Sequence, residues 1–325
     1  WMYSPLGIWV YNPEQEKWLS WLTNIIKRRS HNMVRAVSQD KQGRIWIGTD
    51  QDGIDILDKK TGEVRQLRNK AGNERSLQNN TVMVLYEDSS ETMWVGTYKK
   101  GISYFNECAF KFGAEYIGDI SCIEEDKEGY VWLGTNDVGI IYWNSVTGNR
   151  AAFPQKGMDK LTTDAIVCIL KAGDGKLWIG TFGGGLICYD NGRIIHYKKN
   201  IPERQNSLAH NNVLALAEDK QGIIWIGTLG GGVQSLNPKT GLFTTYNTTS
   251  AGLISDYVSS LCMGKEGSLW IGTAQGLSEL DIETKKVVNL EGTKSGKEYF
   301  SDQNISQVYE DSRGLIWIGT CEGLN

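Results

Sequence analysis

A chain of 325 residues, 40% hydrophobic and 22% charged, has the composition of a globular protein long enough to bury a substantial core. Its net charge of −4 gives no overall attraction to nucleic acid or to an anionic membrane surface, and no apolar run approaches the roughly 18–20 residues of a membrane-spanning helix. Glycine and tryptophan are abundant (38 and 12 residues) and proline and histidine scarce (5 and 3), and the sequence opens on Trp1 without a signal peptide, as expected of a piece of a longer protein.

From the N-terminus, Gly-Ile-Trp-Val-Tyr-Asn at 7–12 and Lys-Trp-Leu-Ser-Trp-Leu at 17–22 are two short strand patterns. The first complete unit follows at 33–70. Its first strand, Val-Arg-Ala-Val at 34–37, runs into Asp40 and Gly43, spaced as a hairpin turn. An Asp side chain bonds the backbone two residues on, and Gly accepts positive φ. The second strand holds the Trp-Ile-Gly-Thr that begins at Trp46, apolar on both faces like a strand held between two layers. Gly53 and Ile54 open a third strand that ends at Asp58, Thr61 and Gly62 make the next turn, and 64–67 is a fourth strand.

The unit recurs to the end of the chain. Trp-(Ile/Val/Leu)-Gly-Thr begins at Trp46, Trp94, Trp132, Trp178, Trp225, Trp270 and Trp317, at spacings of 38 to 48 residues. Six positions before the Trp stands Asp40, Asp88, Asp126, Asp219 or Asp311, replaced by Ala172 and Gly264 in the fourth and sixth units. Glu91 takes the place of the turn Gly in the second, and the third is shorter than the rest. Four positions before the turn Asp are Ala36, Val84, Cys122, Cys168, Ala215, Ser260 and Gln307, mostly small, as an innermost strand converging on an axis requires.

Four short antiparallel strands per unit without helical periodicity are the pattern of a propeller blade. The predicted fold is all-β, a seven-bladed β-propeller with blades at about 33–70, 80–115, 118–155, 164–200, 211–248, 256–292 and 303–325, in one domain covering 1–325. The seventh unit contributes two strands before the sequence ends. Residues 7–12 and 17–22 match its missing third and fourth strands, so the termini would close the ring and leave no free sheet edge. Residues 1–4 sit where a degenerate signature would fall, and an eight-bladed ring or an open arc are the alternatives.

Asn-x-Val, Glu-Asp-x-x-Gly, Leu-Trp-Ile-Gly-Thr and Gly-Leu, as in 211–233, resemble the two-component regulator propeller repeat, and the resemblance spans essentially the whole chain. It implies the periplasmic sensor region of a hybrid two-component system of Bacteroides-type gut bacteria. Such a parent has two consecutive propellers, a small β-sandwich, one transmembrane helix and a cytoplasmic histidine kinase with response-regulator and DNA-binding modules. The family's usual task, detecting oligosaccharides from glycan breakdown, is what the resemblance implies for function.

Three classes of function are compatible with these residues. In a sensor, ligand would meet the end of the ring formed by the loops between second and third strands and by the blade-to-blade connections. The first set offers Asp50, Asp52, Tyr98, Lys99, Asn136 and Phe182, the second Arg29, His31, Arg75, His210 and Tyr257. Aromatic rings stack on the apolar faces of sugars, and planar polar groups bond hydroxyls. The basic Arg29, Arg75 and Lys99 would favour an acidic sugar. In a propeller hydrolase or lyase, Asp50, Asp52, Asp137 and Glu322 are the candidate carboxylates. No pair among them is marked as catalytic, the three His have no metal-ligand spacing, and no cofactor is implied. In a structural platform, Trp18, Trp21 and Leu22 on an outermost strand would meet a neighbouring propeller, a β-sandwich or a second copy of the chain. The six Cys lack paired spacing and read as buried small hydrophobes.

Overall fold

The computed structural model describes residues 33–73, 76–106, 117–126, 129–144, 149–153, 165–199, 206–290 and 302–324, with residues 161, 163 and 300. It also gives the backbone of the strands Tyr3–Ser4, Gly7–Ile8, Val10–Asn12, Lys17–Leu19, Lys111–Glu115, Thr293–Lys294 and Lys297–Glu298. All regular structure among the described residues is β, in seven blades around one axis. Blade one is Val34–Gln39, Ile45–Thr49, Ile54–Leu57 and Val64–Leu67, hydrogen-bonded in that order, and blades two to six repeat this meander from Val82, Ile120, Ile166, Val213 and Val258. The shortening noted in the sequence falls on the connection between Lys111–Glu115 and Ile120–Glu125, which leaves blade three with four strands.

Each signature residue has a physical task. The Trp is buried in every blade, between 0 and 9% exposed. Where the turn Asp is present, its Oδ2 accepts the indole N–H at 2.8–3.1 Å. Its Oδ1 accepts the backbone N–H four residues on. One carboxylate therefore ties the hairpin turn to the core of its blade. The Thr hydroxyl donates to the carbonyl of the Gly that opens the third strand, at 2.7–3.0 Å in all seven blades. The signature Gly makes room for the next blade: a Cβ on Gly48 would lie 2.5 Å from Val82, and one on Gly227 would lie 2.7 Å from Val258. In the second unit Glu91 adopts φ +62°, the left-handed conformation that Gly takes at the equivalent turns.

The same packing closes the circle. A Cβ on Gly319 of the last blade would meet Val34 of the first at 3.1 Å, and the first strands of these two blades lie side by side. Ser306 Oγ donates to the Val34 carbonyl and Gln307 Oε1 accepts the Val37 N–H across the same joint. Blade seven is completed as the termini suggest, with Val10–Asn12 against Ile316–Thr320 and Lys17–Leu19 outside it. One detail of the seam is corrected. Gly7–Ile8 does not extend the third strand but pairs with Tyr3–Ser4. The place opposite Gly319–Thr320 is taken by the chain's own Gly323–Leu324, which follows by a tight turn at lower entropic cost than a strand from the other terminus.

Blades are also latched at the turn end. The side chain closing the first strand of one blade accepts a backbone N–H from the equivalent hairpin turn of the blade before it: Glu87 from Lys41, Glu125 from Ser89, Glu218 from Gly173, Glu310 from Lys265 and Gln39 from Ser312, at 2.7–3.0 Å. The corresponding residues in blades four and six are Lys171, which has no acceptor, and Met263, whose thioether is only a weak one. Burial pushes the thiols of Cys122 and Cys188 up to about 12 and that of Cys262 to about 11, so these cysteines pack as neutral apolar groups. Cys108 lies outside the described residues.

Candidate functional site

The up-and-down course of each blade sends the Asp turns to one end of the ring and the loops after the signature Thr to the other. At the second end, the N–H of the residue following Thr donates to the carbonyl just before the first strand in all seven blades, at 2.8–3.2 Å. This bond fixes seven equivalent side chains around the mouth: Asp50, Tyr98, Asn136, Phe182, Leu229, Ala274 and Cys321. Their main chain is uniform, and only the side chains differ from blade to blade.

The apolar members stand out in water. Tyr98 is 40% exposed, Phe182 54% and Tyr257, on the connection entering blade six, 55%. None of these three rings contacts another among the described residues, so they are separate platforms. Val138, 53% exposed on the loop of blade three, belongs with them and was not singled out from the sequence. Lys99 has φ +53° and its Nζ lies 4.9 Å from the Tyr98 ring centroid, and hydrogen bonding to the Tyr98 side chain raises the lysine pKa. Gln51 has φ +77°, so two loops at this end hold non-glycine residues in the left-handed region.

Of the four candidate carboxylates at this end three are engaged, while for Glu322 the backbone N–H, not the carboxylate, is bonded, to Thr320 Oγ1 at 3.2 Å. Asp50 Oδ2 accepts from Arg35 Nη2 at 2.9 Å and its Oδ1 from Thr81 Oγ1 at 3.0 Å, which joins blades one and two. Asp52 is paired with Arg68 at 2.6 Å. Asp137 caps the Asp119 N–H, and Asn136 Nδ2 donates to Asp119 Oδ2 at 3.3 Å. His210 Nδ1 accepts the Asn212 N–H at 3.0 Å, a turn role. Arg29, His31, Arg75, Trp21 and Leu22 lie outside the described residues, and of Trp18 only the backbone is described, on the outermost strand of blade seven.

Sequence reasoning missed Arg35. It sits at a β-bulge that recurs at the second position of every first strand, where the other blades carry Met83, Ser121, Val167, Leu214, Ser259 and Ser306. Its Nε is buried without a partner while its Nη2 holds Asp50. Aligning the seven units at this column, in which Arg35 is the one charged residue, is the signal that would have found it. Three clefts lined by described residues lie at the opposite end, beside the hairpin turns that precede the signature Trp.

The sequence pattern of the two component regulator propeller family matches seven segments, 29–51, 76–99, 117–137, 160–183, 207–230, 252–275 and 299–322. No curated protein matches the chain. Among solved structures, the extracellular domain of a putative hybrid two component system of B. thetaiotaomicron is similar at 24% identity and a TM-score of 0.76, over 91% of this chain and 40% of that one. The extracellular domain of a putative one component system of the same organism is similar at 20% identity and a TM-score of 0.54, over 98% of this chain and 44% of that one. Virginiamycin B lyase of Staphylococcus aureus is similar at 14% identity and a TM-score of 0.69, over 91% of this chain and 94% of that one. The chain thus spans less than half the length of the two B. thetaiotaomicron domains, and these likenesses are likenesses of fold. With one family match per blade and the same Asp, Trp, Gly and Thr chemistry repeated around a closed ring, the chain belongs to the two component regulator propeller family.

Proposed function

We infer that this ring is the ligand-sensing, extracytoplasmic propeller of a hybrid two-component sensor, that it detects glycan-derived oligosaccharides, and that the signal passes to kinase and transcription modules elsewhere in the parent chain. The observation that carries this reading is the set of exposed rings, Tyr98, Phe182 and Tyr257, held at one end of a ring whose other large apolar groups are mostly buried. Exposed aromatic platforms on a rigid scaffold suit the flat apolar faces of sugars. Lys99 and the Arg35–Asp50 pair supply polar groups between them. The periplasm is the compartment in which such a ligand would be met, and neighbouring propeller and β-sandwich domains or a second copy are the partners, through Trp18, Trp21 and Leu22.

A binding module rather than a hydrolase or lyase is favoured by the engagement of Asp50, Asp52 and Asp137 in structural bonds, which leaves Glu322 alone among the four candidate carboxylates and so no free pair among them. Isothermal titration of the protein with neutral and acidic glycan oligosaccharides tests the reading. Saturable heat without change of the sugar is expected, and acidic sugars should bind more tightly. Turnover of any sugar would replace the sensor by an enzyme, and silence toward the whole panel would leave the ring a platform for domain contacts.

A further inference from the structure

Blade six departs from the other blades at three neighbouring positions. Gly264 stands where five blades have the turn Asp. Met263 stands where five blades have a side chain that latches the preceding turn. Glu279 lies directly across the sheet from Trp270, a place occupied by Ile56, Tyr104, Tyr142, Cys188 and Ser235 opposite the Trp of blades one to five. Together these changes remove one carboxylate from beneath the indole and put another beside it.

The result is an opening rather than a repacked core. Clefts of ≈ 220 and ≈ 370 Å³ flank the turn of blade six and share Gly264, Glu266, Ser268 and Glu279, and the smaller one reaches Trp270. Trp270 is 4% exposed, and its indole N–H has no hydrogen-bond partner among the described residues. In the five blades with an Asp the same N–H reaches a carboxylate oxygen at 2.8–3.1 Å, so in blade six it is aimed at the space beside Gly264. Blade four makes the contrast. There Ala172 replaces the Asp, and Trp178 Nε1 is sealed from solvent without an acceptor. The carboxylate of the half-buried Glu279 likewise has no ion pair or hydrogen bond among the described residues.

We propose that this cleft is a second ligand site, distinct from the loop end, that takes a small cation bearing a hydroxyl or carbonyl oxygen beside its ammonium group. The oxygen accepts the Trp270 indole N–H in place of the missing Asp, and the ammonium pairs with Glu279. A partly buried donor and an unpaired carboxylate each gain most from a ligand that satisfies both at once. Glu266 and Glu310 on the rim add negative potential, and Glu310 already holds the Lys265 N–H at 3.0 Å. Of the basic residues there, Lys265 donates its ammonium to the Asp311 carbonyl at 2.8 Å and Lys220 to the Lys265 carbonyl at 3.3 Å, while Arg313 lines the smaller cleft together with the three glutamates.

D-glucosamine, which carries both groups, is a suitable probe at slightly acid pH, with D-glucose (oxygen without charge) and methylammonium (charge without oxygen) as controls. The ¹⁵N-indole resonance of Trp270, identified by its loss in Trp270→Phe, should move saturably with glucosamine. Each control should bind at least about tenfold more weakly, the loss of one charge-assisted or buried hydrogen bond. Gly264→Asp restores the side chain that five blades carry and should abolish the shift. Glu279→Gln should weaken glucosamine by about tenfold and leave oligosaccharide binding at the loop end unchanged. A Trp270 resonance indifferent to glucosamine, or a Gly264→Asp protein that binds as well as the parent, overturns the site. Should Gly264→Asp not fold, an unchanged affinity in Glu279→Gln does the same.

Discussion

Lys59 Nζ donates to Asp311 Oδ2 at 2.9 Å across 252 residues of sequence, with both side chains buried where blade seven meets blade one. The same carboxylate accepts the Trp317 indole N–H and the Leu315 backbone N–H. Burial favours the neutral acid, but Lys59, Trp317 and Leu315 outweigh it and hold Asp311 below its ordinary value of 3.8. Lys59 therefore compensates a buried charge at the joint that closes the ring.

Lys59→Ala should cost about 3 kcal/mol or more, because it leaves the Asp311 carboxylate buried without its ammonium. Since the folded pKa is depressed, the stabilisation is present in full above pH 3.8 and is lost as the pH falls further. Urea unfolding at neutral pH and near pH 3 would show the gap between parent and variant narrowing in acid. A cost below about 1 kcal/mol at neutral pH, the size of a surface pair, would mean that the seam holds without this contact.

The two blades without a turn Asp allow a reciprocal experiment. Asp219→Ala strips acceptors from the Trp225 indole and from the backbone N–H groups of Gln221 and Ile223, and should destabilise by about 2–3 kcal/mol. Ala172→Asp gives the orphaned Trp178 indole its acceptor and should raise the melting temperature. Thermal unfolding of both proteins checks the pair, and opposite signs are the expected result.

Glu87 and Glu124 give the ring an unusual pH dependence. Burial pushes each carboxyl from 4.5 to about 7, although backbone N–H groups of Lys41 and Lys171 pull the other way. Between those two pH values the folded protein keeps protons that the unfolded chain has released, so stability falls as pH rises from 4.5 to 7 and levels off above. In Glu87→Gln with Glu124→Gln the slope of melting temperature against pH over this window should flatten. An equal slope in parent and variant would assign it to other groups.

At the loop end, Tyr98→Ala with Phe182→Ala removes two rings that contribute little to the core, being 40 and 54% exposed. Oligosaccharide affinity should fall by about tenfold, as expected when aromatic contacts worth roughly a kcal/mol are lost, with the melting temperature unchanged. Calorimetry and thermal unfolding on the same samples separate the two effects, and unchanged affinity removes both residues from the site.

Much of the blade was legible from local pattern, because its parts lie close in sequence. Asp40 and Trp46 are six residues apart, Thr49 and Gly53 four, and the hydrogen bonds between them follow from turn and strand geometry alone. The seam was half legible. The patterns at 7–12 and 17–22 named the right partners, but the competition between Gly7–Ile8 and Gly323–Leu324 for one sheet edge depends on which segment reaches it at lower entropic cost. The candidate ligand loops could be located, but not which side chains were free, since Asp50 is taken up by Arg35 and Thr81 while Tyr98 and Phe182 remain in water.

The sequence by itself determined the seven copies of the repeat, the four short strands of each complete unit and the hairpin role of the turn Asp and Gly, because these are set by neighbours a few residues away. Only the tertiary structure decided what happens between units: Val34 against Gly319, Lys59 on Asp311, the Glu latches, and the gap beneath Trp270 left by Gly264. Apart from the gap at Gly264, which lies within one blade, those contacts join residues 36 or more positions apart, and in a repeat protein each unit offers the same backbone surface to its neighbour. Which side chains meet across it is fixed only once the ring has closed.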